Sequence, residues 1–286
     1  MAARIALSQP KREALAPSKP RTARNGEHVL HPVRPNARIE AAYRARLDAL
    51  IDEMHRSLIY WIGAAYRANP PELAQDASPA ADLRAVLALL SRRWRKRFAE
   101  TSEELARYFA QNVAERSSAD LDSILRRGGI SVRFRMTRAM QDVLTATVNE
   151  NVSLIKSIAQ QHLTAVEGHV MRSVQAGRKL DELAHELQHQ FGVTKRRAAL
   201  IARSQNNLMT AGFTRVRQQE AGITEAVWLH SGGGRDPRPS HVKAGQERQK
   251  YDVRSGWFDP HEKKNIWPGQ LINCRCVSRS VVRGFS

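Results

Sequence analysis

From Ala37 to Ala68 the apolar residues Tyr43, Leu47, Leu50, Ile51, Met54, Leu58, Trp61, Ile62 and Ala65 recur at steps of three and four, with polar residues between them. That period puts one stripe on one side of a helix. The helix ends before Asn69-Pro70-Pro71, since a residue ahead of proline is pushed out of helical backbone angles. Ser78-Pro79 offers the next start, a capping hydroxyl followed by proline at the first helical position, and Leu83, Val86, Leu87, Leu90 and Trp94 supply its buried stripe. A third segment is expected from Thr101, where Glu104 completes a capping box and Leu105, Phe109 and Val113 face inward. Gly128-Gly129 breaks the run, and Ile130 to Phe134 reads as the first extended stretch. A further period from Thr137 to Val174, through Met140, Val143, Leu144, Val148, Val152, Ile155, Ile158, Val166 and Val170, predicts one long helix bending near Gly168. Gly177 and Gly192 then frame a short helix with Leu180, Leu183 and Leu187. Thr194 caps another that reaches Glu220 and stops at Gly222.

Beyond Gly222 the pattern changes. ITEAVWLH reads as a strand, GGGRDPRP as an open loop, and LINCRCVSRSVV as a strand or hairpin arm in which Leu271, Asn273 and Arg275 oppose Ile272, Cys274 and Cys276. The expected class is α+β: an elongated, mainly helical N-terminal region followed by a small β-rich C-terminal domain with long loops. Residues 1–36 hold scattered Lys, Arg and Pro and few large apolar side chains, so they are expected to form a flexible basic arm. Residues 37–222 make the helical domain and 223–286 the β-rich one.

Composition sharpens this in three ways. A hydrophobic content of 42% in 286 residues can fill a core, but no run of about 18 apolar residues exists to cross a membrane, and the N-terminus lacks the apolar region of a secretory signal. No membrane partner is expected. The net charge of +18 points to polyanions, DNA first, while an aromatic content of 6% not interleaved with basic residues points to phosphate contact without sequence reading. Candidate anion-binding positions are Arg92, Arg93, Arg95, Lys96 and Arg97, and, on the segment free of acids from Val193 to Gln219, Lys195, Arg196, Arg197, Arg203, Arg215 and Arg217.

The only two cysteines, Cys274 and Cys276, close the β-rich tail. In an extended segment their thiols share a face, and His230, His241 and His261 lie upstream as nitrogen donors. The usual zinc knuckle has two or more residues between its cysteines, and a bridge between positions two apart is strained. The reading favours packed thiols, with a metal held by Cys274, Cys276 and His241 as the alternative and no cofactor expected. Arg235, Asp236, Arg238 and His241 read as cross-links ordering a loop, with Asn273 and the Pro268-Gly269 turn completing that architecture. A catalytic alternative puts His241, Arg238 and Arg235 on a phosphodiester, the histidine moving the proton and the arginines holding the charge.

Taken in order, AVWLHSGGGRDPRPSHVKAGQ and WPGQLINCRCVSRSVV resemble the C-terminal domain of the phage Mu F-like head morphogenesis, or minor capsid, proteins, and the preceding helical stretch resembles the part that leads into it. The resemblance rests on Trp228, Arg238-Pro239-Ser240-His241, Pro268-Gly269 and Asn273-Cys274-Arg275-Cys276 as ordered pieces. It implies a non-enzymatic minor head protein associated with the phage portal, with a major capsid or scaffolding protein as a further partner. It implies a place in the virion head near the portal, reached from the cytoplasm of a bacterial host.

Overall fold

A computed structural model of the chain describes residues 26–68, 79–177, 179–234 and 236–283. Four helices, α1 (Ala37–Ala68), α2 (Pro79–Arg127), α3 (Arg138–Gln175) and α4 (Leu180–Glu220), form the helical body. Helices α1 and α3 each pack on both α2 and α4, and α2 also meets α4. Their interior is one continuous cluster that includes Tyr43, Leu47, Met54, Phe98, Phe109, Ile155, Leu163 and Phe213. After α4 come β2 (Glu225–Leu229), the short α5 (Pro239–Gln246), β3 (Lys250–Asp252), a hairpin of β4 (Trp257–Asp259) and β5 (Lys264–Ile266), and β6 (Val277–Arg283). The α+β class therefore holds.

Local chemistry sets the helix ends. Asn36 Oδ1 accepts from the backbone N–H groups of Arg38 and Ile39 at 2.9 and 3.2 Å, and Thr137 Oγ1 accepts from that of Met140, so the first turns of α1 and α3 are capped. Two expected helix starts dissolve. Thr101 Oγ1 bonds back to the carbonyl of Arg97 and Thr194 Oγ1 to that of Gln190, both 3.0 Å, each within its own helix. A threonine that satisfies its hydroxyl four residues back has no need to cap. Helix α2 thus runs through Thr101, and α4 through Gly192 and Thr194.

Two strand expectations are also corrected. Residues 130–134 keep the alternation of an extended segment, with Ile130, Val132 and Phe134 packed inward, but join no ladder among the described residues. The regular part of the last strand is limited to 277–283, because Asn273 takes a left-handed backbone (φ 63°) and Cys274 N bonds to Leu271 O in a turn. Ile272, expected on the face of the thiols, is 70% exposed. In α1, Trp61 likewise turns outward at 49% exposure, at the edge of the apolar stripe.

The expectation of a flexible arm over residues 1–36 fails where the structure describes it. The strand β1 (Glu27–Val29) pairs antiparallel with β6, giving a four-stranded sheet in the order β1-β6-β2-β3. Arg279 donates to the carbonyls of Val29 and Leu30, and Leu30 and Val33 are buried against Leu121, Ile124 and Leu125 of α2. Three residues suffice because an existing sheet edge supplies the ladder. Residues 1–25 lie outside the described residues.

Candidate functional site

His241 enters on α5, just after Pro239, where the fixed proline φ suits the first helical turn. Gly245 lets that helix lie against the end of β2: a Cβ there would meet His230 Cβ at 2.3 Å. The imidazole packs edge-on to Trp228 of β2, centroids 4.9 Å apart, and Trp228 meets Trp257 of β4 at 5.2 Å. Cys274 and Cys276 arrive from the turn before β6. Asn207 of α4 fixes it by donating to the Cys274 carbonyl at 3.0 Å, and Asn273 N approaches Ser204 Oγ. Gly269, at φ 84°, can accept that backbone and the approach of Ala211 only without a side chain.

These elements bring His241 Nδ1 to 3.4 Å from Cys274 Sγ and 3.9 Å from Cys276 Sγ. His241 is 2% exposed and each cysteine 4%. Across the ring, Nε2 lies 3.3 Å from Asp259 Oδ2, an ion-pair distance off the line of a hydrogen bond. Asp259 is fully buried, and its carboxylate accepts from Ser240 Oγ at 3.1 Å and the His261 N–H at 2.9 Å. The Gly269 N–H points at Cys274 Sγ, and the buried Trp228 Nε1–H has no hydrogen-bond partner among the described residues. The two thiols are pulled apart in acidity. Cys274 is lowered by the hydrogen bond from Cys276, against its burial and with help from His241, while Cys276, as that donor, is raised.

Of the expected loop residues, Ser240 and His241 join this cluster. Arg238 instead donates to the Ile272 carbonyl at 3.2 Å and faces Glu262 at 3.4 Å. Asp236 and Arg275 are exposed and Pro268 is buried; Arg235 lies outside the described residues. His230 accepts from the Gly232 N–H and His261 is exposed, so His241 alone of the three upstream histidines reaches the thiols. Asp259 was not expected. Its Asp-Pro step marks a turn, but nothing in the sequence separates it from the other acids as a buried one.

A thiol, an imidazole and a carboxylate in series is also the order of a nucleophile, its base and an orienting group. All three groups are buried, whereas a nucleophile needs to meet substrate. Cavities of about 810 Å³ between α2 and α3, and about 770 Å³ beside His31 and Arg116, lie elsewhere.

Most of the candidate anion-binding cations of α4 have partners within the fold. Lys195 pairs with Asp52 at 2.6 Å, Arg197 donates to Ser157, and Arg203 to Asn273. Arg215 lies over the Trp267 ring at 4.2 Å, its acidity increased by burial, and Arg217 is buried against Glu220, Ser118 and the Arg135 carbonyl. Of the six, Arg217 alone is buried, Arg196 alone is exposed and the rest are half-buried. On α2, by contrast, Arg92, Arg93, Arg95, Lys96 and Arg97 all stand exposed. Lys96 faces Glu100 at 3.8 Å and Arg93 lies near the Trp94 ring.

Residues 164–279, which contain α4, the buried knot of His241, Asp259, Cys274 and Cys276, and most of the sheet, match the family model described as phage Mu protein F like protein. The chain carries a Mu F-like region. The chain is also 25% identical, over 260 residues, to an uncharacterized protein of Haemophilus influenzae, covering 88% of this chain and 55% of that one. It thus spans about half the length of this relative. No solved structure matches it. Among the described residues, no helix is long and apolar enough to cross a membrane.

Proposed function

We infer that this Mu F-like chain is a minor head protein of a phage, joining the portal during head assembly and touching packaged DNA without reading its sequence. The observation that carries the reading is the coincidence of the Mu F-like match with a polar cluster closed to substrate: the one histidine of the candidate loop is 2% exposed and locked between Trp228, two thiols and a carboxylate. An enzyme acting on nucleic acid needs that histidine at an open surface. The exposed rings of Tyr60 and Trp61 on α1, with Leu89 on α2, offer apolar contact to a protein partner such as the portal. The cation row on α2 offers phosphate contacts. On this reading the protein resides in the phage head near the portal after synthesis in the host cytoplasm.

The test has two arms. Co-expression with the portal protein of the same phage should yield a complex on size exclusion, and unrelated DNA duplexes should bind with nearly equal affinity. Changing Arg92, Arg93, Arg95, Lys96 and Arg97 to Glu should weaken DNA binding and flatten its salt dependence by about 0.9 in log-log slope for each phosphate that is no longer neutralised. A nuclease activity abolished by His241→Ala in a folded protein, or a single preferred DNA sequence, would refute the reading.

A further inference from the structure

His241 Nδ1, Cys274 Sγ and Cys276 Sγ all lie within 4.8 Å of one another in a buried site. Packing of small apolar thiols explains their burial, but not why one ring nitrogen faces both sulfurs, nor why a fully buried carboxylate stands behind the ring. A four-coordinate zinc ion, with bonds of about 2.3 Å to sulfur and about 2.0 Å to nitrogen, sets nitrogen and sulfur about 3.5 Å apart. The observed 3.4 and 3.9 Å fall on either side of that value.

The surroundings fit the same chemistry. A ligating imidazole commonly turns its second nitrogen to a carboxylate, which fixes the tautomer and strengthens the donor. Here Asp259 stands 3.3 Å from Nε2 and is itself held by Ser240 and the His261 N–H. A negative charge on that side favours the ring proton on Nε2, which leaves the Nδ1 lone pair toward the sulfurs. The Gly269 N–H, 3.4 Å from Cys274 Sγ, is placed to offset charge on a metal-bound thiolate. Two sulfurs and a nitrogen select zinc-type ions over magnesium or calcium, which take oxygen ligands.

We propose that His241, Cys274 and Cys276 bind one zinc-type divalent cation, with Asp259 orienting the imidazole and a small oxygen ligand completing the tetrahedron, and that this ion ties α5 to the turn before β6. The site is structural, since its donors are closed from solvent, and it holds whether or not the chain meets a portal.

The experiment uses the full chain, purified after growth with zinc and freed of any metal-binding tag. Elemental analysis should find about one zinc per chain, and cobalt substitution should give a thiolate-to-metal charge-transfer absorption that the Cys274→Ser/Cys276→Ser double variant lacks. A chelator should expose the C-terminal unit to proteolysis while the helical circular dichroism persists. If the double variant fails to fold, Asp259→Asn decides: a folded protein that still takes cobalt, with affinity lowered about 10- to 100-fold in competition with a chelator, supports a carboxylate-backed histidine ligand. Zinc at trace level after dialysis against a zinc buffer, cobalt absorption without a thiolate band, or an Asp259→Asn variant with unchanged affinity would overturn the proposal.

Discussion

In the helical body Tyr43 and Phe109 stack at 4.0 Å among leucine, isoleucine, valine and methionine side chains. In the β unit the largest buried ring, Trp228, meets an imidazole, two thiols and, behind the imidazole, a carboxylate. The cause is size. A four-helix body presents long apolar stripes to one another and fills its interior with hydrocarbon. A unit of about 60 residues has too much surface for its volume to do so and relies on specific cross-links. Even the polar groups inside the body differ in use: Asn151 and Gln205 bridge α3 and α4 beneath the Tyr43 hydroxyl, where they join elements already held by apolar packing. In the β unit the imidazole and the thiols sit within the packing itself, beside Trp228, Ala244 and Ile266.

The sharpest way to break this comparison is to remove one ring from each region. Phe109→Ala and Trp228→Ala should each cost about 3 to 5 kcal/mol, but in different transitions. Phe109→Ala should lower the midpoint followed by helical circular dichroism in urea. Trp228→Ala should leave that midpoint nearly unchanged and make residues 223–283 open to protease. If Trp228→Ala melts the helices in step with the sheet, the two regions are one cooperative unit and the comparison fails.

Acid should act on the body through His162 of α3, which is buried beside Thr194 and His55. Burial, then the neighbouring His55, pushes its pKa down to about 4, whereas an unfolded histidine titrates near 6.5. Between those values the unfolded chain binds more protons, so stability is full above about pH 6.5, falls as pH drops through the window, and levels off below about 4. The loss should approach about 3 kcal/mol. His162→Gln should flatten this limb of the stability curve; a limb of unchanged slope would move the effect to another group.

The sequence period made α1 and α3 legible to within a residue, because a long stripe leaves few alternatives. It misjudged α2 and α4 because Thr101 and Thr194 offer the same hydroxyl whether they cap a new helix or bond back within an old one. The strand β1 was hidden by separation: its partner β6 lies at the other end of the chain, and a short Glu-His-Val segment in a proline-rich stretch carries no local signal. Charge alone did not show that Arg217 of α4 is buried against Glu220, or that Lys195 pairs with Asp52. At the site, the thiols and His241 were legible as a set, but Cys-x-Cys spacing suggested an extended chain, while the left-handed Asn273 bends it.

A smaller effect should sharpen the boundary between the regions. Asn207 is a buried α4 residue whose amide donates to the Cys274 carbonyl. Asn207→Leu keeps the branched shape but leaves that carbonyl without its donor, a cost of about 1 to 3 kcal/mol. Amide exchange in 271–283 should quicken while exchange in α1 and α3 stays as it was. Equal quickening in both would place Asn207 in the body's own cooperative unit.

The smallest effect should come from the ionic cluster on the outer face of the sheet, where Lys250 Nζ lies 2.8 Å from Glu27 Oε2 and 3.7 Å from Glu225 Oε1, and Arg283 reaches both acids at 2.9 Å. Its geometry is as good as that of the buried knot, and the hydrogen bond from Lys250 holds the Glu27 carboxyl below the usual range. Water nevertheless surrounds it, and exposed pairs gain little over their separate hydration. Lys250→Met should therefore move the melting temperature only slightly at low salt, and the difference from the parent should vanish near 1 M salt, where screening acts within about 3 Å. The loss from Trp228→Ala should not shrink in the same buffer, because it removes packing that salt does not screen. A Lys250→Met effect that survived high salt would show that the edge joining β1 to the sheet depends on this cluster, and that polar cross-links carry weight outside the β unit's core as well as within it.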